Sequence, residues 1–149
     1  MSGRTGMRRG RQAARGLYAD IAASRPDPAK LSHLEIMLPY PPSVNHYWRM
    51  AGSRMIVSDA GRAYRARVLE LALRHCLAGS FGSARLSVSL ELTMPDNRRR
   101  DIDNTAKALL DALTAAGVWT DDEQIDRLLI ERKGVTRGGL VRCAIEALP

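Results

Sequence analysis

Apolar and polar side chains alternate along four stretches of the chain, and this two-residue period predicts β-strands. The strictest alternation runs over residues 86–94, where apolar residues take every second position between serine, glutamate and threonine. Residues 34–38 show a shorter alternation, and residues 125–133 and 140–148 form two longer predicted strands. A further short strand is expected at residues 55–57.

Two other stretches repeat their apolar residues every three or four positions, as an amphipathic helix does. The first follows Ser58, which is suited to cap a helix N-terminus, and ends by Gly79. The second is expected to run from Asn104, its predicted N-cap, to Ala116, with Gly117 in a position that often ends helices. The apolar face of this second helix consists of Ala106, Leu109, Leu110 and Leu113.

The order of these elements is β-α-β-α-β-β, which predicts an α+β fold. A mixed four-stranded sheet with the two helices on one face would bury one apolar side of the sheet. Residues 134–139 contain three glycines and predict a hairpin loop between the last two strands. The opposite face of the sheet is left to polar residues or to a partner subunit.

The start of the chain differs in composition from the rest. Residues 1–33 hold seven Lys or Arg against two Asp, a net charge of +5, whereas residues 34–149 hold 16 against 14, a net charge of +2. The first segment has no repeating apolar stripe and is broken by Pro26 and Pro28, so we expect a basic, disordered extension before one folded domain. Translation from Met7 or Met37 is an open alternative.

Composition also excludes several classes of protein. No apolar run approaches the length of a membrane span, and no export signal is visible, which favours a cytoplasmic protein. Cys76 and Cys143 lie within apolar patterns, which predicts buried, reduced thiols. The cysteines and the three histidines do not have the spacing of a zinc site.

A proline-rich segment follows the first strand. Its three prolines between positions 39 and 42 end regular hydrogen bonding, and residues 43–50 are expected to form a loop. Asn45 and His46 of this loop are expected to be exposed. Trp48 is expected to pack against the domain, with a contact to DNA as the alternative.

The densest group of charged residues lies between the strand at 86–94 and the second helix. In an extended segment, residues two apart point the same way, so Asp101 and Asp103 can converge, and a hard cation would offset their repulsion. The linker after the helix is long enough to return Asp122 to their level. Before these carboxylates stand three arginines, Arg98, Arg99 and Arg100.

Lys107 lies four residues after Asp103, where an ammonium group can contact a phosphate beside a metal ion. Carboxylates beside arginines are typical of a nuclease or another phosphate-handling enzyme. Two structural alternatives stay open. Asp-x-Asp is also common as a helix cap or a solubilising loop, and a high arginine content also follows from a GC-rich genome.

Three segments of the chain resemble the RusA family of Holliday junction resolvases, which are small endonucleases often carried by prophages. They are LPYPPSVNHYW from Leu38, MPDNRRRDIDNTAKALLDAL from Met94 and GVWTDDEQI from Gly117. The resemblance runs from about Leu34 to Ala147 and leaves out the basic extension.

This resemblance implies roles for particular residues. Asp101, Asp103 and Asp122 would hold Mg²⁺, or Mn²⁺ in its place, and Lys107 would be the family's essential lysine. A homodimer would act on a four-way DNA junction in the cytoplasm of a bacterium, without an organic cofactor. The implied DNA contacts are Ser43, Asn45 and His46, and the positive charge of Arg98, Arg99 and Arg100 makes these arginines candidate DNA contacts as well.

The leading hypothesis is therefore a metal-dependent, structure-selective endodeoxyribonuclease of DNA recombination and repair. It would resolve four-way junctions by paired, symmetric nicks. A different metal-dependent phosphoesterase, acting on nucleotides or single strands, would need the same carboxylates. A non-catalytic DNA-binding module would use the acidic cluster for structure alone, and metal-dependent nicking would exclude it.

Overall fold

The computed structural model describes residues 31–149, so the basic extension predicted at residues 1–33 lies outside the described residues except for its last three. Six strands are present: β1 (His33–Pro39), β2 (Trp48–Ala51), β3 (Arg54–Val57), β4 (Leu86–Met94), β5 (Ile125–Val135) and β6 (Leu140–Ala147). The helices are α1 (Val44–Tyr47), α2 (Asp59–Arg74) and α3 (Ile102–Ala115), and a 3₁₀ turn spans Asp122–Gln124.

Four of the strands form one mixed sheet, which confirms the predicted α+β fold. Their order is β1-β6-β4-β5, where β6 is antiparallel to both of its neighbours and β4 is parallel to β5. Helix α3 makes the connection between the two parallel strands. No helix in the described part of the chain is long and apolar enough to cross a membrane.

The core lies on the side of the sheet that faces the long helices α2 and α3. Every second residue of β4 is buried, as its alternation predicts, and packs in one cluster with apolar residues of both helices. The opposite face carries ion pairs: Arg142 donates to Glu35 at 2.6 and 2.8 Å and to Glu91 at 3.1 Å. Burial raises the pKa of the Cys143 thiol to about 12, so this thiol stays protonated.

The glycine-rich segment between β5 and β6 is not a hairpin loop, which corrects the prediction. Strand β4 lies between β5 and β6, so the loop must cross the end of β4. The crossing is close: a Cβ at Gly139 would lie 2.9 Å from the backbone of both Thr93 and Pro95. Glycine also suits the left-handed backbone at this position, where φ is 64°.

Helix α3 begins at Ile102, and its N-cap is Asp101, three residues before the predicted N-cap Asn104. Ile102 packs against the core, which favours helical backbone at this point. The predicted end of the helix is confirmed. Gly117 has φ 74°, its N–H donates to the carbonyl of Thr114, and the next N–H donates to Leu113, as in a Schellman motif.

The end of helix α2 corrects the prediction that Cys76 is buried. The helix ends at Arg74, and Cys76 takes the left-handed conformation, with φ 57°, and is exposed. The N–H of Leu77 then donates to the carbonyl of Ala72 at 2.8 Å. This early turn directs Leu77 and Phe81 into the core, where both are almost fully buried.

The predicted loop at residues 43–50 has more regular structure than its sequence indicates. Ser43 is followed by the single helical turn α1, and β2 and β3 form a separate two-stranded hairpin. Helix α2 begins beside this hairpin with the predicted N-cap, since the Ser58 hydroxyl accepts from the N–H of Gly61 at 3.0 Å. Gly61 is buried against α1 and β3.

We expect Gly61→Ala to destabilise the protein although alanine favours helix. A Cβ at this position would lie 2.6 Å from the Tyr47 carbonyl oxygen and 2.7 Å from a methyl carbon of Val57. Such overpacking costs on the order of 1–3 kcal/mol, more than the helix propensity gained. A thermal melt should show a lower midpoint. The control is Gly134→Ala, where nothing lies within 4 Å of the new Cβ, and an equal loss in both variants would contradict the packing argument.

Candidate active site and nucleic-acid grooves

The residues predicted to contact DNA come together along one groove, which we call the arginine groove. It has a volume of about 510 Å³ and runs between the proline-rich segment and the turn that precedes α3. Asp101 also lines this groove, on the side formed by the turn that precedes α3. The residues that line it include Tyr40, Ser43, Asn45, His46, Arg98, Arg99, Arg100, Asp101 and Thr105.

Two local contacts shape the proline-rich side of the arginine groove. The Ser43 hydroxyl lies 2.7 Å from Nδ1 of His46, which joins the first and last residues of this short exposed segment. The Tyr40 hydroxyl lies 3.0 Å from Oγ1 of Thr105, a buried residue of α3, and donates to the sulfur of Met94 at 3.2 Å. The segment is thereby fastened to α3 and β4, so the two sides of the groove are joined.

The three arginines of the groove have different environments. Arg100 is only 24% exposed and forms an ion pair with Asp96, and this guanidinium, with the N–H of Arg98, holds the pKa of Asp96 well below its usual range. Arg98 is 84% exposed and lies 3.9 Å from Asp96. Arg99 is exposed and forms no ion pair with any residue from 31 to 149. Arg98 and Arg99 are therefore the cations most available to a phosphate.

The first two carboxylates stand at the N-terminus of α3. Asp101 is the N-cap residue and Asp103 lies in the first turn, so the extended geometry assumed in the sequence argument does not hold. Both residues are exposed, and neither side chain makes a hydrogen bond or ion pair with another described residue. The positive end of the helix dipole favours their negative charge.

The third carboxylate is carried by the 3₁₀ turn, which a buried glutamine holds in place. The Gln124 side-chain oxygen accepts from the N–H groups of Thr120 and Asp121 at 2.8 and 2.9 Å. Its amide nitrogen donates to the carbonyls of Gly82 and Ala84 at 2.9 and 2.8 Å. The side-chain oxygen thus accepts two hydrogen bonds and the amide nitrogen donates two. These four bonds fix the turn that presents Asp122 at the surface.

The surroundings of Asp122 differ from those of the other two carboxylates. Partial burial, together with the nearby carboxyls of Asp121 and Asp111, raises the pKa of Asp122. Asp111 lies eight residues after Asp103 on α3, which is about 12 Å along the helix axis. No three acidic, histidine or cysteine side chains between residues 31 and 149 form a group that could hold a metal ion.

A second groove adjoins the first, and we call it the hairpin groove. Its volume is about 640 Å³, and it lies between the β2–β3 hairpin and α3. Lys107 lies here, exposed and without an ion pair to the rest of the described structure. The groove is lined by Val44, Asn45, Trp48, Arg49, Met50, Met55 and Lys107, so Val44 and Asn45 border both grooves.

One cluster that sequence reasoning missed joins the three helices. The hydroxyl of the fully buried Tyr47 donates to Asp111, and Arg65 donates from Nε to this hydroxyl at 2.7 Å and to Asp111 at 3.0 Å. Burial, and then the contact with Asp111, raises the pKa of Tyr47 to about 12. A usable signal existed, since Asp111 interrupts the otherwise apolar run from residue 108 to residue 113.

The donor chemistry of Asp101 and Asp103 fits a hard divalent cation. Mg²⁺ is commonly held by one or two protein carboxylates and completes its coordination with water and substrate oxygens. Both carboxylates are exposed and uncommitted to any described partner. Asp101 also shares its groove with the exposed arginines, where a phosphate would lie. The three-carboxylate arrangement stays a prediction.

Comparison with known proteins identifies the family of this chain. A sequence model described as endodeoxyribonuclease RusA matches residues 39–146. A protein of Enterobacteria phage HK97 named crossover junction endodeoxyribonuclease rusA is 40% identical over 118 residues, which is 79% of this chain and 98% of the phage protein. The protein of that name from Escherichia coli (strain K12) is 40% identical over 110 residues, 74% of this chain and 91% of the relative.

A further relative with this name, from Enterobacteria phage 82, is 41% identical over 111 residues, 74% of this chain and 91% of its own. The family match spans both grooves, the three aspartates and Lys107. Because it also covers most of the chain, this protein belongs to the RusA family of endodeoxyribonucleases.

Proposed function

We propose that this protein is a Mg²⁺-dependent endonuclease that resolves four-way DNA junctions by paired, symmetric nicks. The observation that carries the proposal is the arginine groove, where exposed arginines share one wall with a carboxylate at a helix N-terminus. The relatives named as crossover junction endodeoxyribonucleases supply the class of substrate. Mn²⁺ would substitute for Mg²⁺, since carboxylate oxygens suit both ions.

Asp101 and Asp103 would hold the cation, with Asp122 as the third ligand that the family resemblance implies. When bound, the cation would activate a water molecule and offset the charge on the scissile phosphate. Lys107, on the same side of α3 as Asp103, would contact that phosphate. The exposed Arg98 and Arg99 would hold neighbouring phosphates of the backbone.

The proline-rich side of the arginine groove would complete the contact with DNA. Asn45 and His46 are exposed there, and the hydroxyl of Ser43 fixes the His46 ring. Arg100 would act differently from its two neighbours, because its ion pair with Asp96 holds it against the wall. Its part would be to shape the groove.

The homodimer that the family resemblance implies is also part of the proposal, and β5 is the surface that suits it. This strand lies at the edge of the sheet, so one side of its backbone has no partner strand in the described chain. Leu128 and Leu129 point to opposite faces and are 45% and 53% exposed. The unpaired N–H and C=O groups of an edge strand can pair with another chain, and the two exposed leucines would add apolar contact.

The sequence of β5 is complementary to itself when two copies run antiparallel. A two-fold axis at Leu129 places residues whose numbers sum to 258 opposite each other. This arrangement produces two pairs of opposite charge and one apolar pair on each side of the axis, as a self-complementary isologous interface requires. The opposed residues are Asp126 and Arg132, Arg127 and Glu131, and Leu128 and Ile130.

Replacing Asp103 with asparagine should separate cutting from binding. The exchange keeps the shape of the side chain but removes a metal-binding charge, so junction cleavage in Mg²⁺ should fall by about two orders of magnitude or more. Binding in Ca²⁺ should be retained, because one negative charge fewer faces the phosphates. Stability should change little, because loss of a favourable charge at the helix N-terminus is offset by relief of the repulsion between Asp103 and Asp101.

Cleavage, gel-shift and thermal-melt measurements check this, with Glu70→Gln as the control. Glu70 is exposed on α2 and pairs only with Arg74, at 2.7 Å, in the described structure. Near-normal cutting by Asp103→Asn would overturn its role in metal binding. A collapsed melting temperature would show that this aspartate is structural.

Removing Arg98 and Arg99 should weaken binding and its dependence on salt. Each phosphate contact contributes about 0.9 to the log–log slope of affinity against salt on duplex DNA. The double variant Arg98→Ala/Arg99→Ala should therefore lower the slope by about 1.8 if both contact phosphate. A titration at several salt concentrations measures this. Arg67→Ala, an exposed change on α2 outside both grooves, should leave the slope unchanged.

The edge-strand dimer predicts a charge-swap result. Arg127→Glu should place like charges opposite each other twice, and should weaken the dimer on the order of tenfold. Adding Glu131→Arg should restore the dimer affinity, because a glutamate at position 127 then faces an arginine at position 131. Sedimentation equilibrium measures both, with Arg67→Glu as the control. A dimer unaffected by Arg127→Glu would place the interface elsewhere, and a monomeric wild type would overturn the homodimer itself.

A further inference from the structure

The β2–β3 hairpin carries an apolar patch that the proposed chemistry does not use. Met50 and Met55 face each other across the two strands and are 59% and 64% exposed, among the most exposed large hydrophobic residues described. A second pair, Trp48 and Val57, lies on the same face two residues nearer the core. Both residues of this second pair pack against the core. The apolar stripe therefore begins in the core and continues into solvent.

The base of the hairpin is firmly held, so the exposed methionines have a defined position. The ring of Trp48 packs edge-on against Tyr47, with 5.2 Å between centroids, and the guanidinium of Arg65 lies 6.0 Å from it. The N–H of Ser58 donates to the carbonyl of Tyr47 at 2.8 Å where the second strand ends. The close contact of Gly61 with the same carbonyl adds to this support.

Positive charge surrounds the methionine patch. Lys107 and Arg49 line the hairpin groove together with both methionines. Arg54 is the first residue of β3 and lies beside the turn of the hairpin. None of these three cations forms an ion pair with a residue that the structure describes, and all are exposed. The patch is thus apolar at its centre and cationic around it.

That combination matches one kind of surface of DNA. A nucleic acid offers phosphates to cations, but its only extended apolar surfaces are the faces of its bases, which stacking covers in an intact duplex. Asn45 borders both grooves, so DNA held in the arginine groove would continue towards the hairpin. Methionine is among the apolar side chains that insert between base steps, and its flexible thioether adapts to flat surfaces.

We propose that Met50 and Met55 form a wedge that contacts unstacked base pairs at the branch point of a DNA junction. The inference rests on the proposed function and adds to it a determinant of substrate choice. At a branch point, base pairs lose a stacking partner more readily than inside a duplex, so the wedge stabilises the junction complex and not the duplex complex. Phosphate contacts bind both substrates and cannot make this distinction.

The test uses a junction with 2-aminopurine beside the branch point, whose fluorescence rises when the base unstacks. In Ca²⁺, the wild type should raise the fluorescence. The variant Met50→Ala/Met55→Ala should abolish that rise and lower the preference for junction over duplex on the order of tenfold. The matched control is Met37→Ala, because Met37 is 51% exposed but lies on β1 and lines neither groove.

A second measurement does not depend on variants that fold. Mild peroxide treatment of the wild-type protein should oxidise Met37, Met50 and Met55 to sulfoxides, since all three are exposed. Mass spectrometry of the fragments should show that a bound junction protects Met50 and Met55 but leaves Met37 reactive. Bound duplex at equal saturation should protect them less.

Several outcomes would overturn the wedge. Equal protection by duplex and junction, or no rise in fluorescence from a wild type that still cuts junctions, would remove it and leave the proposed function intact. A loss of dimer in the double methionine variant without DNA would assign the patch to a subunit contact. A wild type that neither binds nor cuts a junction would overturn the proposed function, and the wedge with it.

Discussion

The arrangement of the site depends on the contact of Tyr47 with Arg65 and Asp111. These residues come from α1, α2 and α3, and their side chains meet where the three helices pack. Tyr47 is fully buried, so its hydroxyl would be costly there without a partner, whereas Arg65 and Asp111 are each about one third exposed, at 32%. The cluster therefore holds the segment at 43–47 and the hairpin at a set distance from the helix that carries the acidic residues.

In this arrangement the N-terminal half of α3 faces the two grooves, and a later turn makes a structural contact. Its N-terminal turn carries Asp103 and is preceded by the N-cap Asp101, which lines the arginine groove, and the next turn presents Lys107 to the hairpin groove. Further along the helix, the carboxyl of Asp111 accepts from Arg65 and contributes to the raised pKa of Asp122. The aspartates at this helix thus have separate roles: Asp111 is held by Arg65 and Tyr47, whereas the side chains of Asp101 and Asp103 have no partner in the described chain.

Errors in the prediction from sequence arose where local pattern and tertiary packing disagree. Ile102 packs against the core and extends α3 towards its N-terminus, although Asn104 is a good N-cap. At the other long helix, burial of Leu77 requires Cys76 to leave the helical face. The glycines at 134–139 did mark a turn, but the strand across which they turn was unknown from sequence. Strand pairing depends on distant residues, which a local period does not report.

The sequence by itself determined the elements of the main sheet and the two long helices, because burial of one face imposes a period of 2.0 or 3.6 residues. It also determined which side chains could bind phosphate or metal, since charge and donor chemistry are properties of single residues. Only the tertiary structure decided which of them meet: the arginines and Asp101 share a groove with Asn45, whereas the carboxyl of Asp111 contributes to the raised pKa of Asp122. It also placed Met50 and Met55 in solvent near that groove. The reason is that proximity between distant segments follows from how helices and strands pack, and packing is settled by the whole core at once.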